Sequence, residues 1–370
     1  MQFFAGLLNA LPGMRWISLP EEVEQFAQLM VSQLDLRQEA SHLSRFERNF
    51  AGRGGTVVFP RPLHAFCSQD VLVEALIEAV PLKHFMHMGS GAYDSRIAEM
   101  GLDAFLSMLL IDNFTHADLH PGNIMVKFYR PSMRSRILYR FDPDYVLGHR
   151  NRTGIIPDDQ VAQKLVSCSQ HPDDWHAMIH NIQEDGFLPE LVILDAGLIS
   201  ELSPKNLQNF MDLFAAIATL NGRQAGALMV ERCRTPELVT DKEGFVNAME
   251  GIISNVASGG FSLAALDIGH VLNKALKAVR KYHVKMEPDF VNTVLSIMIL
   301  EGIGRRLDPN LDLFRNAIPI LRSLGHKMSS DEAQLATLRD RMSVSTLFPM
   351  LRLWFFMECR SLFLSLIHIS

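Results

Sequence analysis

Residues 116–123 read His-Ala-Asp-Leu-His-Pro-Gly-Asn, and 72 residues after Asn123 an apolar run ends in Asp195-Ala196-Gly197. No other feature restricts the fold of this chain as much. An acid, an amide and two imidazoles around a Pro-Gly turn need a loop. The amphipathic stretch 95–113 before it and "IMVKF" after it make that loop a helix-to-strand connection. Asp195 stands at the end of a second apolar strand, "LVILDAG", where glycine lets the backbone turn tightly. The two acids and the amide can cooperate only if those strand ends are neighbours.

The residue types point to a chemistry. Two carboxylates and an amide oxygen suit Mg²⁺, a hard cation that completes its shell with phosphate and water. Phosphoryl transfer uses such a set: one carboxylate orients the nucleophile, while an amide and a second carboxylate hold metal against phosphates. His-x-Asp with Asn five residues on, then Asp-x-Gly at a strand end, is the kinase spacing. Asp118 takes the catalytic position, Asn123 and Asp195 the metal positions, and His116 the place of a histidine that braces the loop. A competing reading makes His116, Asp118 and His120 metal ligands of a hydrolase, with His176 and His180 as the nearest candidates to complete the shell. That pair reads more simply as part of a solvated helix, and Arg130, Arg134, Arg136 and Arg140 as a solvated loop that could meet phosphate or lipid headgroups.

Around this motif the chain is mostly helical. Residues 20–50 are expected as one long helix, with Pro20 at its first turn and Glu21, Glu22 and Glu24 complementing the dipole. Two short strands, "TVVFPRPLHAF" and "DVLVEALI", are expected as antiparallel neighbours. Residues 129–189 lack steady periodicity and read as inserted, and the chain from Ser203 onward reads as helices. The expectation is an α+β, mostly helical chain. Its divisions are a sheet-bearing part over 1–82, a helical part over 83–330 interrupted by an insert at 127–190, and an apolar helical tail at 331–370.

A net charge of −6 argues against a general nucleic-acid binder. The four cysteines form no C-x-x-C pair, so neither a zinc site nor a disulfide framework is indicated, and a reducing compartment is the default. The start shows no signal peptide. The tail is interrupted by Arg352, Glu358 and Arg360 and reads as a buried or interfacial helix; its last residues, "SLIHIS", could be non-native.

The combination of H-A-D-L-H-P-G-N at 116–123, "QLDLRQEA" at 33–40, "VLVEALIEAVPL" at 71–82 and "LEGIGRRLDPNLDLF" at 300–314 resembles the UbiB/aarF-domain family of atypical kinases. The resemblance covers nearly all of 10–325. It implies a protein-kinase-like fold, ATP and Mg²⁺ binding, a mitochondrial location at a membrane surface, and a role in coenzyme Q biosynthesis and lipid metabolism. A lipid or quinone-precursor small molecule would be the partner. Carried over by position, Asp118 matches the catalytic-loop acid, and Asn123 and Asp195 the metal ligands. Glu39 matches the helix glutamate that pairs with the nucleotide lysine, and Asp35 the second acid of E-x-D. The adenine hinge would fall near Ala75–Ala79.

The departures are specific. Gln33 replaces the first acid of E-x-D, and Ala196 replaces the phenylalanine of D-F-G. Residues 1–20 hold no K-x-G-Q segment, no V-A-I-K strand and no phosphate-covering loop, so the chain reads as truncated, with an incomplete N-lobe. Lys83, Lys127 and Lys164 are misplaced as substitutes for the lysine. Three readings of function stand side by side. One is an ATPase or a lipid or small-molecule phosphotransferase, weak or inactive as this chain. The second is a pseudokinase scaffold or lipid-binding protein. The third, a small-molecule kinase of the aminoglycoside or choline type, would lack 300–314.

Overall fold

The computed structural model describes residues 33–51, 57–130, 156–157, 159–258 and 268–309, with a few single positions besides. The first full helix, α1, runs Leu36–Phe50. It does not continue the expected helix from residue 20, because Gln33 and Leu34 form a turn and Asp35 is an N-cap. The Asp35 carboxylate accepts the Arg37 N–H at 3.1 Å, satisfying an orphan donor of the first turn. It also takes two bonds from the Arg37 guanidinium, at 2.8 and 2.7 Å, and these hold its pKa below the usual carboxylate value. Leu43, Phe46 and Phe50 repeat at helical spacing and form the buried face.

The chain then passes through β1 (Val57–Val58), β2 (Val80–Pro81), α2 (Leu82–Met88) and α3 (Asp94–Leu106), which ends in a π-turn over Ser107–Ile111. The segments expected as paired strands at 56–78 meet at a single antiparallel bridge, Pro62 to Glu74. It is flanked by Leu63 N–H to Val73 O at 2.8 Å and Ala75 N–H to Arg61 O at 2.9 Å. Two prolines, Pro60 and Pro62, lack the N–H that a longer ladder needs.

Next come β3 (Thr115–His116), β4 (Ile124–Arg130), β5 (Ile156–Pro157), α4 (Asp159–Cys168), α5 (Pro172–Glu184), β6 (Leu188–Ile193) and β7 (Ile199–Ser200). The stretch read as aperiodic thus contains two helices. Trp175, Ile179 and Ile182 point α5 into the core at i, i+4 and i+7, with the partly buried Met178 beside them. Residues 131–155, with Arg134, Arg136 and Arg140, lie outside the described residues, as does the tail at 331–370.

The main sheet has the order β1-β6-β4-β2, with β5 also on β4. β1 runs parallel to β6, and the other pairs are antiparallel. A two-stranded ladder, β3 with β7, lies beyond it. Five helices complete the described chain: α6 (Pro204–Ala218), α7 (Gly222–Glu231), α8 (Lys242–Ser258), α9 (Ile268–Lys281) and α10 (Pro288–Leu307). α3 packs between β6 and α10, so one core joins the sheet to the helices. A second core around Ala225, Phe245, Met249 and Val284 joins α6 to α9. The described structure is α+β and mostly helical, as expected.

Candidate nucleotide and metal site

Two short ladders build the site. The β4–β6 pair ends at Ile124 opposite Ile193, and the β3–β7 pair sets His116 opposite Ile199. Between them run two loops, 117–123 and 194–198. Leu194 N–H donates to Asn123 O at 3.0 Å, and Ala117 N–H donates to Leu198 O at 3.0 Å. Each loop is therefore pinned at both ends to the other. Asn123 and Asp195 meet as a consequence of this register: Asn123 Nδ2 lies 3.3 Å from Asp195 Oδ2.

The histidines lock the loops and are not free ligands. His116 is fully buried and joins its Nε2 to the Asp195 carbonyl, while its Nδ1 accepts the Asp118 N–H at 3.1 Å. A carbonyl only accepts and an amide N–H only donates, so the ring is the neutral Nε2–H tautomer. Burial pushes its pKa below the ordinary histidine value, against the pull of Asp195 and Asp118. His120 Nδ1 accepts from Gly122 N–H at 3.0 Å. A Cβ on Gly122 would stand 2.7 Å from the half-exposed His120 ring, so a side chain there would displace the imidazole from this bond. His176 is bonded to the Pro172 carbonyl at 2.8 Å, and His180 faces Glu184. Among the described residues no group of three His, Cys, Asp or Glu side chains is placed to hold a metal by itself. The H-x-D-x-H hydrolase arrangement is thus not formed.

Asp118 is half exposed, with Oδ2 3.8 Å from His120 Nε2, and its carbonyl lies 3.4 Å from Asn123 Nδ2. Asp195 is oriented by the Gly197 N–H, 2.7 Å from its Oδ1. Glu39 reaches the same turn from α1, its Oε1 accepting from the Ala196 N–H at 3.4 Å. Burial raises the Glu39 pKa; the Ala196 hydrogen bond opposes this, and the Asp195 charge adds to it. Glu39, Asn123, Asp195 and the Asp118 backbone are therefore brought together. Asp35, tied to Arg37, is not part of that contact set.

Sequence reasoning missed two participants. Glu74, open to solvent on one side, has its pKa raised by partial burial and then by the charges of Glu39 and Asp195. Its signal was a charged residue inside the apolar run "VLVEALI". His42, one turn after Glu39, bonds through Nδ1 to the Ala196 carbonyl at 2.9 Å. Its signal was the i, i+3 spacing from Glu39.

The donor set fits a magnesium ion bound together with phosphate. The hard oxygens are the Asp195 carboxylate and the Asn123 amide oxygen; the amide turns its Nδ2 toward Asp195, so sharing one cation requires the amide to flip. After burial, the charge of Asp195 raises the Glu39 pKa, and the charges of Glu39 and Asp195 raise that of Glu74, so negative charge gathers at this turn.

The ABC1 atypical kinase-like domain family matches residues 1–140, and the UbiB helical domain family matches residues 259–312. A mitochondrial ABC1 family protein of Schizosaccharomyces pombe is 38% identical over 362 residues, covering 98% of this chain and 48% of that protein. A mitochondrial ABC1 family protein of Saccharomyces cerevisiae is 38% identical over 367 residues, covering 98% and 52%. A Vibrio cholerae protein named probable protein kinase UbiB is 24% identical over 334 residues, covering 90% and 51%. The chain spans about half the length of these curated relatives.

Proposed function

Because the chain belongs to the ABC1/UbiB family of atypical kinase-like proteins, we propose that it binds magnesium–ATP between the 117–123 and 194–198 loops. The observation that carries this reading is the 3.3 Å approach of Asn123 to Asp195 across 72 residues of chain. Asn123 and Asp195 would hold the metal. When bound, the cation supplies the positive charge that offsets the phosphates. Asp118, exposed at the loop surface, would orient an acceptor hydroxyl or water. His116 keeps both loops in register through its two hydrogen bonds. The acceptor would be a lipid, a quinone-precursor small molecule or water, and the role would be support of mitochondrial coenzyme Q biosynthesis. Relatives named mitochondrial and UbiB support this assignment. We further propose a mitochondrial membrane surface as the place of action, although no helix among the described residues is long and apolar enough to cross a membrane. The division at residues 82 and 330 remains our proposed domain scheme.

Turnover by this chain should be weak. Residues 1–82 hold no lysine, so none of them offers an ammonium to pair with Glu39 and hold phosphate. Losing that group removes positioning and charge stabilisation, on which phosphoryl transfer relies heavily. The pseudokinase reading gains from the Glu39 carboxylate being engaged by the Ala196 N–H.

Equilibrium binding of a fluorescent ATP analogue, with and without Mg²⁺, tests the proposal. Magnesium-dependent binding, weak in this chain, should be lost in Asp195→Asn. Binding that is indifferent to both magnesium and Asp195→Asn would refute it. Magnesium-dependent binding with no measurable ATP hydrolysis or transfer would select the scaffold reading.

A further inference from the structure

Position 196 is the point at which this site departs most from a kinase pattern. A phenylalanine there would lock the metal-bearing turn by packing its ring. Ala196 is completely buried and has no ring to pack. Its peptide is gripped instead. Glu39 Oε1 accepts from the Ala196 N–H at 3.4 Å, and His42 Nδ1 donates to the Ala196 carbonyl at 2.9 Å. Both side chains come from one face of α1, three residues apart, so a single helix satisfies both backbone polar groups of one buried residue. The His42 ring also meets Phe114 edge-on, with centroids 5.8 Å apart at 68°, immediately before β3 and the 117–123 loop. α1 itself is fastened close by. Arg45 lies 3.9 Å above the Phe114 ring and pairs with Glu201, just past β7.

We infer that His42, with Glu39, is a positioning residue that holds the Asp195–Gly197 turn through the Ala196 peptide, replacing ring packing with two hydrogen bonds. The physical reason is that Asp195 is directly followed by the gripped residue. If the Ala196 carbonyl loses its donor, a buried acceptor is left unsatisfied, and the turn must rotate toward water or toward a new partner. Rotation at Ala196 moves the Asp195 carboxylate relative to Asn123. The clamp also gives Glu39 a role that needs no lysine, since its partner is a backbone amide. The inference rests on the reading of Asp195 as a metal ligand only for its functional consequence; the clamp itself is a statement about backbone order.

The test therefore has two readouts. The first is amide hydrogen exchange of the segment 194–200, measured without nucleotide. The second is the affinity for the fluorescent ATP analogue in magnesium. His42→Phe keeps a ring against Phe114 but removes the donor, and His42→Asn offers a shorter donor. Glu39→Gln keeps an acceptor without charge, and Glu39→Ala removes it. Losing one bond to a buried group should speed exchange of 194–200 roughly five- to ten-fold in His42→Phe and in Glu39→Ala. His42→Asn and Glu39→Gln should stay closer to the parent. Magnesium-dependent affinity should fall by a similar factor in His42→Phe and recover in part in His42→Asn.

Unchanged exchange of 194–200 in His42→Phe overturns the inference, whatever the affinity does. Faster exchange there with unaltered magnesium-dependent affinity overturns the positioning role. If the parent chain shows no magnesium-dependent binding, the proposed function fails, and exchange alone then decides whether the clamp exists. Should His42→Phe not fold, the Glu39→Ala and Glu39→Gln pair gives the same comparison from the other side of the peptide.

Discussion

Replacing Trp175 tests whether α5 is part of the core. The indole is fully buried and meets the Phe85 ring at 5.1 Å and 69°, and its Nε1 donates to the Gly89 carbonyl at 2.7 Å. Gly89 sits at φ +74°, so this bond closes a turn that favours glycine. An indole buries on the order of 200 Å². At about 25 cal/mol per Å² the transfer part reaches roughly 5 kcal/mol as an upper bound. Measured Trp-to-Ala losses run about 3–5 kcal/mol, so about 4 kcal/mol is expected for Trp175→Ala. Trp175→Phe keeps most of the apolar contact but strands the Gly89 carbonyl, at about 1–3 kcal/mol. Urea unfolding followed by far-ultraviolet circular dichroism gives both numbers. A loss under about 1 kcal/mol for Trp175→Ala would mean that α5 is not packed as described, because a cavity of that size cannot be neutral.

Two further outcomes follow from particular contacts. Gly226→Ala in α7 would place a Cβ 2.9 Å from Val246 Cα and 3.1 Å from Met249 Cβ, and backbone cannot yield cheaply. The helix-propensity gain of about 1 kcal/mol is then outweighed, and a net loss near 1 kcal/mol is expected. Gly251→Ala in α8 meets nothing within 4 Å and should stabilise, so urea midpoints that move the same way in both variants would contradict the α7–α8 packing. Tyr93 donates its hydroxyl to the Phe187 carbonyl at 2.8 Å, and burial pushes its pKa up to about 12. The folded phenol resists ionising while the unfolded one ionises near 10. Stability is thus intact below pH 10 and falls between 10 and 12, by roughly 3 kcal/mol in full. Tyr93→Phe should remove that part of the pH dependence, and an identical slope in the variant would rule out Tyr93 as its source.

Much of the local structure was legible because its causes are local. Asp35 ahead of Leu36 with Gln38 three residues on is an N-cap pattern, although the acidic run at 21–24 invites a longer helix. The stretches "NGRQAG" and "KMEP" carry the starts of α7 and α10, since glycine, asparagine and proline act on their own backbone. α5 was hidden because its apolar stripe is a single short one, Trp175, Met178, Ile179 and Ile182, with charged flanks. The His42 bond was hidden for a different reason. Its partner is a carbonyl, which every residue possesses, so nothing in the sequence marks Ala196 as an acceptor.

By itself the sequence offered the groups that could do chemistry, Asp118, Asn123 and Asp195, whose oxygens suit a hard cation. Only the tertiary structure decided that Asn123 meets Asp195, and that α1 grips the turn after Asp195. Approach across 72 residues is set by strand register and helix docking. These depend on which apolar faces bury against each other, and many sequences of the same local pattern could answer that differently.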